Sequence, residues 1–167
     1  SRDVNASVSG GTEQLRYFIA GGYTQQDGIL INNYMNRASV QINLDSKLSE
    51  KFDLGISTMM SRSLNNDVPN DNFFETPMQI VAQSPLTPTR DTTGELYNLP
   101  TTLYFNPLLE AEFTQSNNYT FRTIGSAYAN YHILPELTLR GEFGGDFTNL
   151  TSDRYSGSQS NFGQSVG

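Results

Sequence analysis

Apolar and polar residues alternate with a period of two in three separate stretches of this chain, and that period predicts strands rather than helices. The alternation is plain in the last stretch. Leu137, Leu139, Gly141, Phe143, Gly145 and Phe147 fall on one face, and Thr138, Arg140, Glu142, Gly144 and Asp146 on the other. The polar face carries both signs of charge and no apolar residue. On the apolar face small residues stand between large ones, as on a sheet whose apolar side meets something deformable. A turn at Leu134, Pro135 and Glu136 joins this strand to the one before it, giving a hairpin over about 119–149.

The middle stretch, about 35–63, is a second hairpin. Ala38, Val40, Ile42 and Leu44 alternate with Arg37, Ser39, Gln41, Asn43 and Asp45. After a turn through residues 46–51, Phe52, Leu54, Ile56 and Met60 oppose Asp53, Gly55, Ser57 and Ser61. The first hairpin, about 3–24, sets Val4, Ala6 and Val8 against Asn5, Ser7 and Ser9. It turns at Gly10, Gly11, Thr12 and Glu13 and returns through Leu15, Tyr17, Ile19, Gly21 and Tyr23. The other face of that return strand holds Phe18 and Ala20 and is less cleanly polar. Residues 25–33 are expected to be loop.

Between 64 and 118 the alternation stops. Six of the seven prolines lie there, with Asn/Asp clusters over 65–72 and scattered aromatics. A short helix is expected near 75–83, ahead of Pro85, and a turn at Gly94 and Glu95. So long an irregular segment is foreign to a compact soluble domain. It suits a membrane barrel, which has short turns on one rim and long loops on the other. Residues 150–167, rich in Ser, Gly, Asn and Gln, read as the start of another long loop.

The resemblance to a known family rests on two segments. "RTIGSAYANYHILPELTLRGEFGGDF" resembles a barrel hairpin of the SusC/RagA-type TonB-dependent outer-membrane transporters, with its Tyr-x-Ile-Leu, tight turn, Leu-Thr-Leu-Arg and Phe-Gly-x-Asp-Phe ending. "NASVSGGTEQLRYFIAGGYTQQDGIL", followed by "NRASVQINLDSKLSEKFDLGIS", is similar to the family's Gly-Gly-Thr turn, Gly-Gly-Tyr strand and Asn-Leu-Asp. The Pro-rich "SPLTPTRDTTGELYNLP" and the following "YFNPL" are similar to an extracellular loop of the family. The implied fold is all-β: an antiparallel meander of about six strands forming part of a transmembrane outer-membrane β-barrel, with long extracellular loops. Family barrels have about 22 strands and even the smallest barrels have about eight, so six imply a piece of a longer wall. The family's plug domain and TonB box have no counterpart here.

Composition agrees with a sheet that has one wet face. Of the 167 residues 36% are hydrophobic, low for a globular core, yet Tyr and Phe together number 19. A net charge of −7 argues against a nucleic-acid partner, whose phosphates need a Lys/Arg surface. With no cysteine, disulfides and thiolate metal sites are excluded. No apolar run approaches the ~20 residues of a membrane helix, and no signal-peptide pattern is visible. A spanning strand needs only ~9–11 residues with alternate positions apolar.

Catalytic patterns are sparse, and no enzyme is expected. There is no nucleophile elbow and no zinc-protease motif. The sole histidine, His132, reads as a polar residue near a strand end. The Asn/Asp cluster over 65–72 lacks the glycine and terminal glutamate of an EF-hand, so neither a metal nor a cofactor is expected. Ligand-contacting candidates lie in the long loop: Phe73, Phe74, Tyr97, Tyr104 and Phe105 as flat apolar faces, and Asp67, Asp71 and Asn72 as polar partners. The same aromatics could equally pack the loop on itself. The candidate lumen-facing residues are Arg37, Gln41, Asp53, Arg140, Glu142 and Asp146.

By the resemblance, the chain supplies wall and outer loops of an importer of oligosaccharides or peptides in a bacterial outer membrane. The implied partners are outer-membrane lipid, the TonB complex through parts absent here, and a SusD-like surface lipoprotein. Two alternatives stay open: a soluble all-β carbohydrate- or cell-surface-binding module, and a siderophore-type receptor.

Overall fold

The computed structural model describes residues 1–67, 78–98, 105–160 and 163. Six strands form one sheet in the order β1-β2-β3-β4-β5-β6, so each strand pairs with its neighbours in sequence. They are β1 Arg2–Gly11, β2 Leu15–Asp27, β3 Tyr34–Ser49, β4 Phe52–Asn66, β5 Thr114–Leu134 and β6 Leu137–Ser156. The chain divides into two compact units. The first comprises Ser1–Gln26, Met35–Leu64 and Tyr119–Thr151; the second comprises Asp27–Tyr34, Asn65–Asn118 and Ser152–Gly167.

The first unit holds the alternating stretches and the three short turns. β1 and β2 are antiparallel, with Val4 opposite Tyr23, Ala6 opposite Gly21 and Val8 opposite Ile19. Paired residues share a face, so the apolar positions of both strands fall together. Thr12 closes the first turn: its Oγ1 accepts the N–H groups of Gln14 and Leu15, each at 3.2 Å. The turns are mutually tied. Lys47 N–H donates to Gln14 O at 2.7 Å, and His132 N–H donates to Lys51 O at 2.9 Å.

Several limits differ from those expected. Gly10 and Gly11 belong to β1 rather than to the turn. A Cβ at Gly10 would stand 2.7 Å from the Tyr17 hydroxyl, so the glycine makes room for that ring. The second turn is only Glu50 and Lys51, because β3 continues to Ser49. β2 runs to Asp27, β5 starts at Thr114 and β6 reaches Ser156. These extensions are mostly polar, with Leu150 and Tyr155 on opposite faces of β6, and carry no period in hydropathy; backbone pairing makes them strands. Asp67 N–H donating to Ser116 O at 3.0 Å is one such pairing.

The second unit adds two short helices, α1 Met78–Ala82 and α2 Pro107–Phe113. α1 falls inside the helix expected at 75–83. α2 was not expected, although Asn106-Pro107 is a helix-start signature. Asn106 accepts the Leu108 N–H at 3.0 Å as N-cap, and Pro107 occupies a position whose N–H would have no helical partner.

Candidate functional site

Two surfaces hold chemistry, one in each unit. In the first unit, side-chain contacts show which residues share the polar face. Thr24 Oγ1 donates to Asp3 at 2.6 Å in β1–β2, and a Cβ on Gly22 would run into Asn5 and approach Ser39 Oγ at 3.3 Å. Ser39 therefore faces with Asn5, and by period two so do Arg37, Gln41, Asn43 and Asp45. Ser57 donates to Asn43 at 2.8 Å and brings the odd positions of β4, Asp53 included, to the same face. Tyr128 Oη donates to Asp45 at 2.6 Å, which adds the even positions of β5. Arg140 lies 4.2 Å over the Tyr128 ring and 3.2 Å from Glu142, and Asp146 takes a two-pronged ion pair from Arg122 at 2.6 and 3.1 Å. Arg37, Gln41, Asp53, Arg140, Glu142 and Asp146 are thus brought to one face.

The densest part of that face is built on an absence. Gly55 has no side chain, and the Tyr128 ring lies in its place; any Cβ there would overlap the ring. Nearby, His132 bridges Asp53 and Thr138, with Nε2 2.9 Å from a carboxylate oxygen and Nδ1 2.9 Å from the hydroxyl. This arrangement orients the imidazole.

The opposite face is apolar and bare. Val4, Tyr23, Val40, Ile56, Tyr131, Leu139 and Phe143 are all exposed, Phe143 at 79%. Among the described residues one apolar side chain, Leu109, is buried. A soluble sandwich would cover this face with a second sheet. A patch drawn from all six strands far exceeds what soluble monomers leave uncovered.

In the second unit polar residues do the work of a core. Asn66 donates to Asn32 O at 2.7 Å and accepts Ser116 N–H at 3.2 Å, and Asn32, at φ +63°, donates in turn to Ala111 O. Asn106 Nδ2 donates to Thr89 O at 2.8 Å and Tyr97 O at 3.0 Å. Gln79 and Gln83 both donate to Phe105 O, at 2.6 and 2.8 Å. Within this frame lies a cavity of about 540 Å³ walled by Leu30, Ile80, Val81, Leu108, Asn66 and Asp67. Asp67 Oδ1 and Oδ2 accept from Asn65 at 2.6 Å and Asn118 at 2.7 Å.

Of the ligand candidates named from sequence, Asp67 lines this cavity. Tyr97 and Phe105 are half-buried and join the frame through their carbonyls. Phe73, Phe74, Tyr104, Asp71 and Asn72 lie outside the described residues. Gln79, Asn66 and Asn106 were missed, since buried amides that bond to carbonyls leave no periodic trace. The exposed turn at Asp91 is also ordered by side-chain bonds. Thr93 Oγ1 at 2.6 Å, Thr93 N–H at 2.8 Å and Glu95 N–H at 3.0 Å converge on one carboxylate oxygen. Led by the Thr93 hydroxyl, these bonds hold the Asp91 carboxyl below the ordinary aspartate value.

No family profile matches the chain. It is 33% identical over 66 residues to TonB-dependent receptor P3 of Formosa agariphila, a match covering 40% of this chain and 7% of that protein. With TonB-dependent receptor P26 of the same organism it shares 25% identity over 163 residues, covering 95% of this chain and 16% of the relative. Its backbone superposes on the RagAB peptide importer in the closed-closed state with a TM-score of 0.72 at 17% identity. That match covers 91% of this chain and 18% of the importer chain. A second structure of the RagAB peptide transporter gives 0.71 at 19% identity, with the same coverage. The chain thus spans under a fifth of the length of the proteins it matches.

An antiparallel six-stranded meander with one bare apolar face and one charged face is a section of transmembrane β-barrel wall. In sequence the chain is similar to TonB-dependent receptors, and in fold to a section of the RagAB importer.

Proposed function

We propose that the chain forms part of the wall and outer loops of a TonB-dependent importer in a bacterial outer membrane, one that takes up oligosaccharides or peptides. The observation that carries this reading is the apolar face bared across six strands while the described residues bury one apolar side chain. Lipid covers such a face with no second protein layer. In this reading the apolar face meets lipid, and Arg37, Gln41, Asp53, Arg140, Glu142 and Asp146 line the lumen. The short turns lie on the periplasmic rim, and the long connection over 64–118 lies outside. There Tyr97, Phe105 and Asp67, with Phe73, Phe74, Tyr104, Asp71 and Asn72, contact substrate or a SusD-like surface lipoprotein. The relatives support an importer through their names, TonB-dependent receptors on one side and a peptide importer on the other.

The test replaces Tyr97, Tyr104 and Phe105 together by alanine in the full-length transporter. Surface expression and uptake of labelled oligopeptides and oligosaccharides are measured separately, with and without TonB. The expected outcome is TonB-dependent uptake of one substrate class by the parent protein, and normal expression with lost uptake or lost lid association in the variant. Uptake of neither class by a well-expressed parent would remove the importer reading. Unchanged uptake and lid binding in the variant would reduce the aromatics to packing.

A further inference from the structure

The cavity in the second unit combines two kinds of wall. Aliphatic side chains form one: Leu30, Ile80, Val81 and Leu108, with Ile80 and Val81 well exposed to solvent. The other carries charge, with Asp67, Glu110 and Arg154 among the described residues that line it. No aromatic ring is among the described residues that line it. Sugar rings stack on flat aromatic faces, which the described walls do not supply. Amide and hydroxyl side chains such as Asn66, Thr87, Thr89 and Ser116 also line the cavity, so a sugar is the competing probe in the test below. Branched aliphatic side chains pack well against such a surface, and about 540 Å³ falls within the ~300–1,000 Å³ of ordinary ligand sites.

Asp67 supplies the anchor. Both hydrogen bonds to its carboxylate come from neutral amides, Asn65 and Asn118. A carboxylate has about four acceptor positions, so others stay open for a donor. An ammonium group fits them best, because a charge-assisted bond is roughly twice as strong as a neutral one. The site is also held in place beforehand. Asn66 links Asn32 to Ser116, and Gln79, fully buried on α1, is bonded to Phe105 O. A ligand therefore meets walls already ordered and does not bear the cost of arranging them.

We propose that this cavity binds the N-terminal end of an apolar peptide, its ammonium on Asp67 and its first side chains against Ile80, Val81, Leu30 and Leu108. The assignment rests on the importer reading and narrows its substrate from oligosaccharides or peptides to peptides with a free, apolar N-terminus.

The test is calorimetry on the full-length transporter in lipid nanodiscs, with trileucine, N-acetyl-trileucine and maltotriose as probes. Trileucine is expected to bind saturably, N-acetylation to weaken it by about tenfold or more, and maltotriose not to compete. Asp67→Asn should weaken trileucine by the same factor and leave it no tighter than the acetylated probe, since the two changes remove one contact. Val81→Trp, which fills the aliphatic wall without touching the charge, should weaken both peptides alike. Resistance of each variant to room-temperature SDS shows whether its barrel is intact. Equal binding of the free and acetylated peptides, displacement by maltotriose, or no effect of either variant would overturn the proposal. Absence of trileucine binding by a parent protein that retains TonB-dependent uptake would overturn the site and leave the importer reading standing. Loss of TonB dependence would remove the importer reading whatever the calorimetry gave.

Discussion

Tyr128 shows how single residues hold the polar face. Its ring fills the space over Gly55, its hydroxyl reaches Asp45 and Arg140 stacks on it, so three strands besides its own meet at one side chain. Gly55→Ala should destabilise the folded wall by about 1–3 kcal/mol, since a Cβ there forces the ring off its bonds. Tyr128→Ala in the Gly55→Ala background should then cost much less than in the parent. Urea unfolding of the four proteins in bilayers measures this coupling; additive losses would show that ring and glycine are independent.

Asp91 acts at the same scale but through charge. Its carboxyl is held below the ordinary aspartate value, first by the Thr93 hydroxyl and then by the backbone N–H groups of Glu95, Thr93 and Gly94. The folded pKa is thus lower than the unfolded one. The ordered turn gains stability fully above the unfolded value and loses it as pH falls through the folded value. Carboxyl NMR of protein labelled at aspartate should show Asp91 titrating below an ordinary aspartate, and Thr93→Val should move it back up. An Asp91 titration unmoved by Thr93→Val would contradict the assigned cause.

At the scale of elements, strands and loops obey different rules. The wall strands were legible because one face is apolar and the other polar, and a period of two survives in the sequence wherever that contrast exists. Leu139, Arg140, Phe143 and Asp146 illustrate it. Over 114–118 both faces are polar, and over 150–156 Leu150 and Tyr155 fall on opposite faces, so the contrast vanishes and the strand ends carry no period. The second unit was least legible, because its order comes from amides bonded to carbonyls far away in sequence. Asn106 is the extreme case: it caps α2 and clamps Thr89 and Tyr97. Asn106→Ala removes the cap, leaves Tyr97 O without its donor and leaves Thr89 O with the Tyr97 N–H at 3.4 Å, at a cost of roughly 2–4 kcal/mol locally. Hydrogen exchange read by mass spectrometry should quicken over 89–98 and 107–113 and leave β1 and β2 unchanged. Unaltered exchange in those segments would show that Asn106 is not their clamp.

For the whole molecule the issue is what covers the apolar face. The bare side chains of all six strands, the single buried apolar residue among those described and the match to barrel proteins at TM-scores of 0.72 and 0.71 agree on lipid. The alternative, a soluble binding module, needs a second sheet against the same residues. The difference is directly measurable because the chain has no cysteine to interfere. Single cysteines at Leu139, Arg140, Gly141, Glu142 and Phe143 of the full-length protein in a bilayer, with any cysteine elsewhere removed, can each carry a nitroxide. Spin relaxation is then compared between oxygen, which concentrates in lipid, and a water-soluble nickel chelate. The account predicts strict alternation, with positions 139, 141 and 143 relaxed by oxygen and 140 and 142 by nickel. Positions 139, 141 and 143 shielded from both reagents would mean that protein, not lipid, covers this face, and would contradict it.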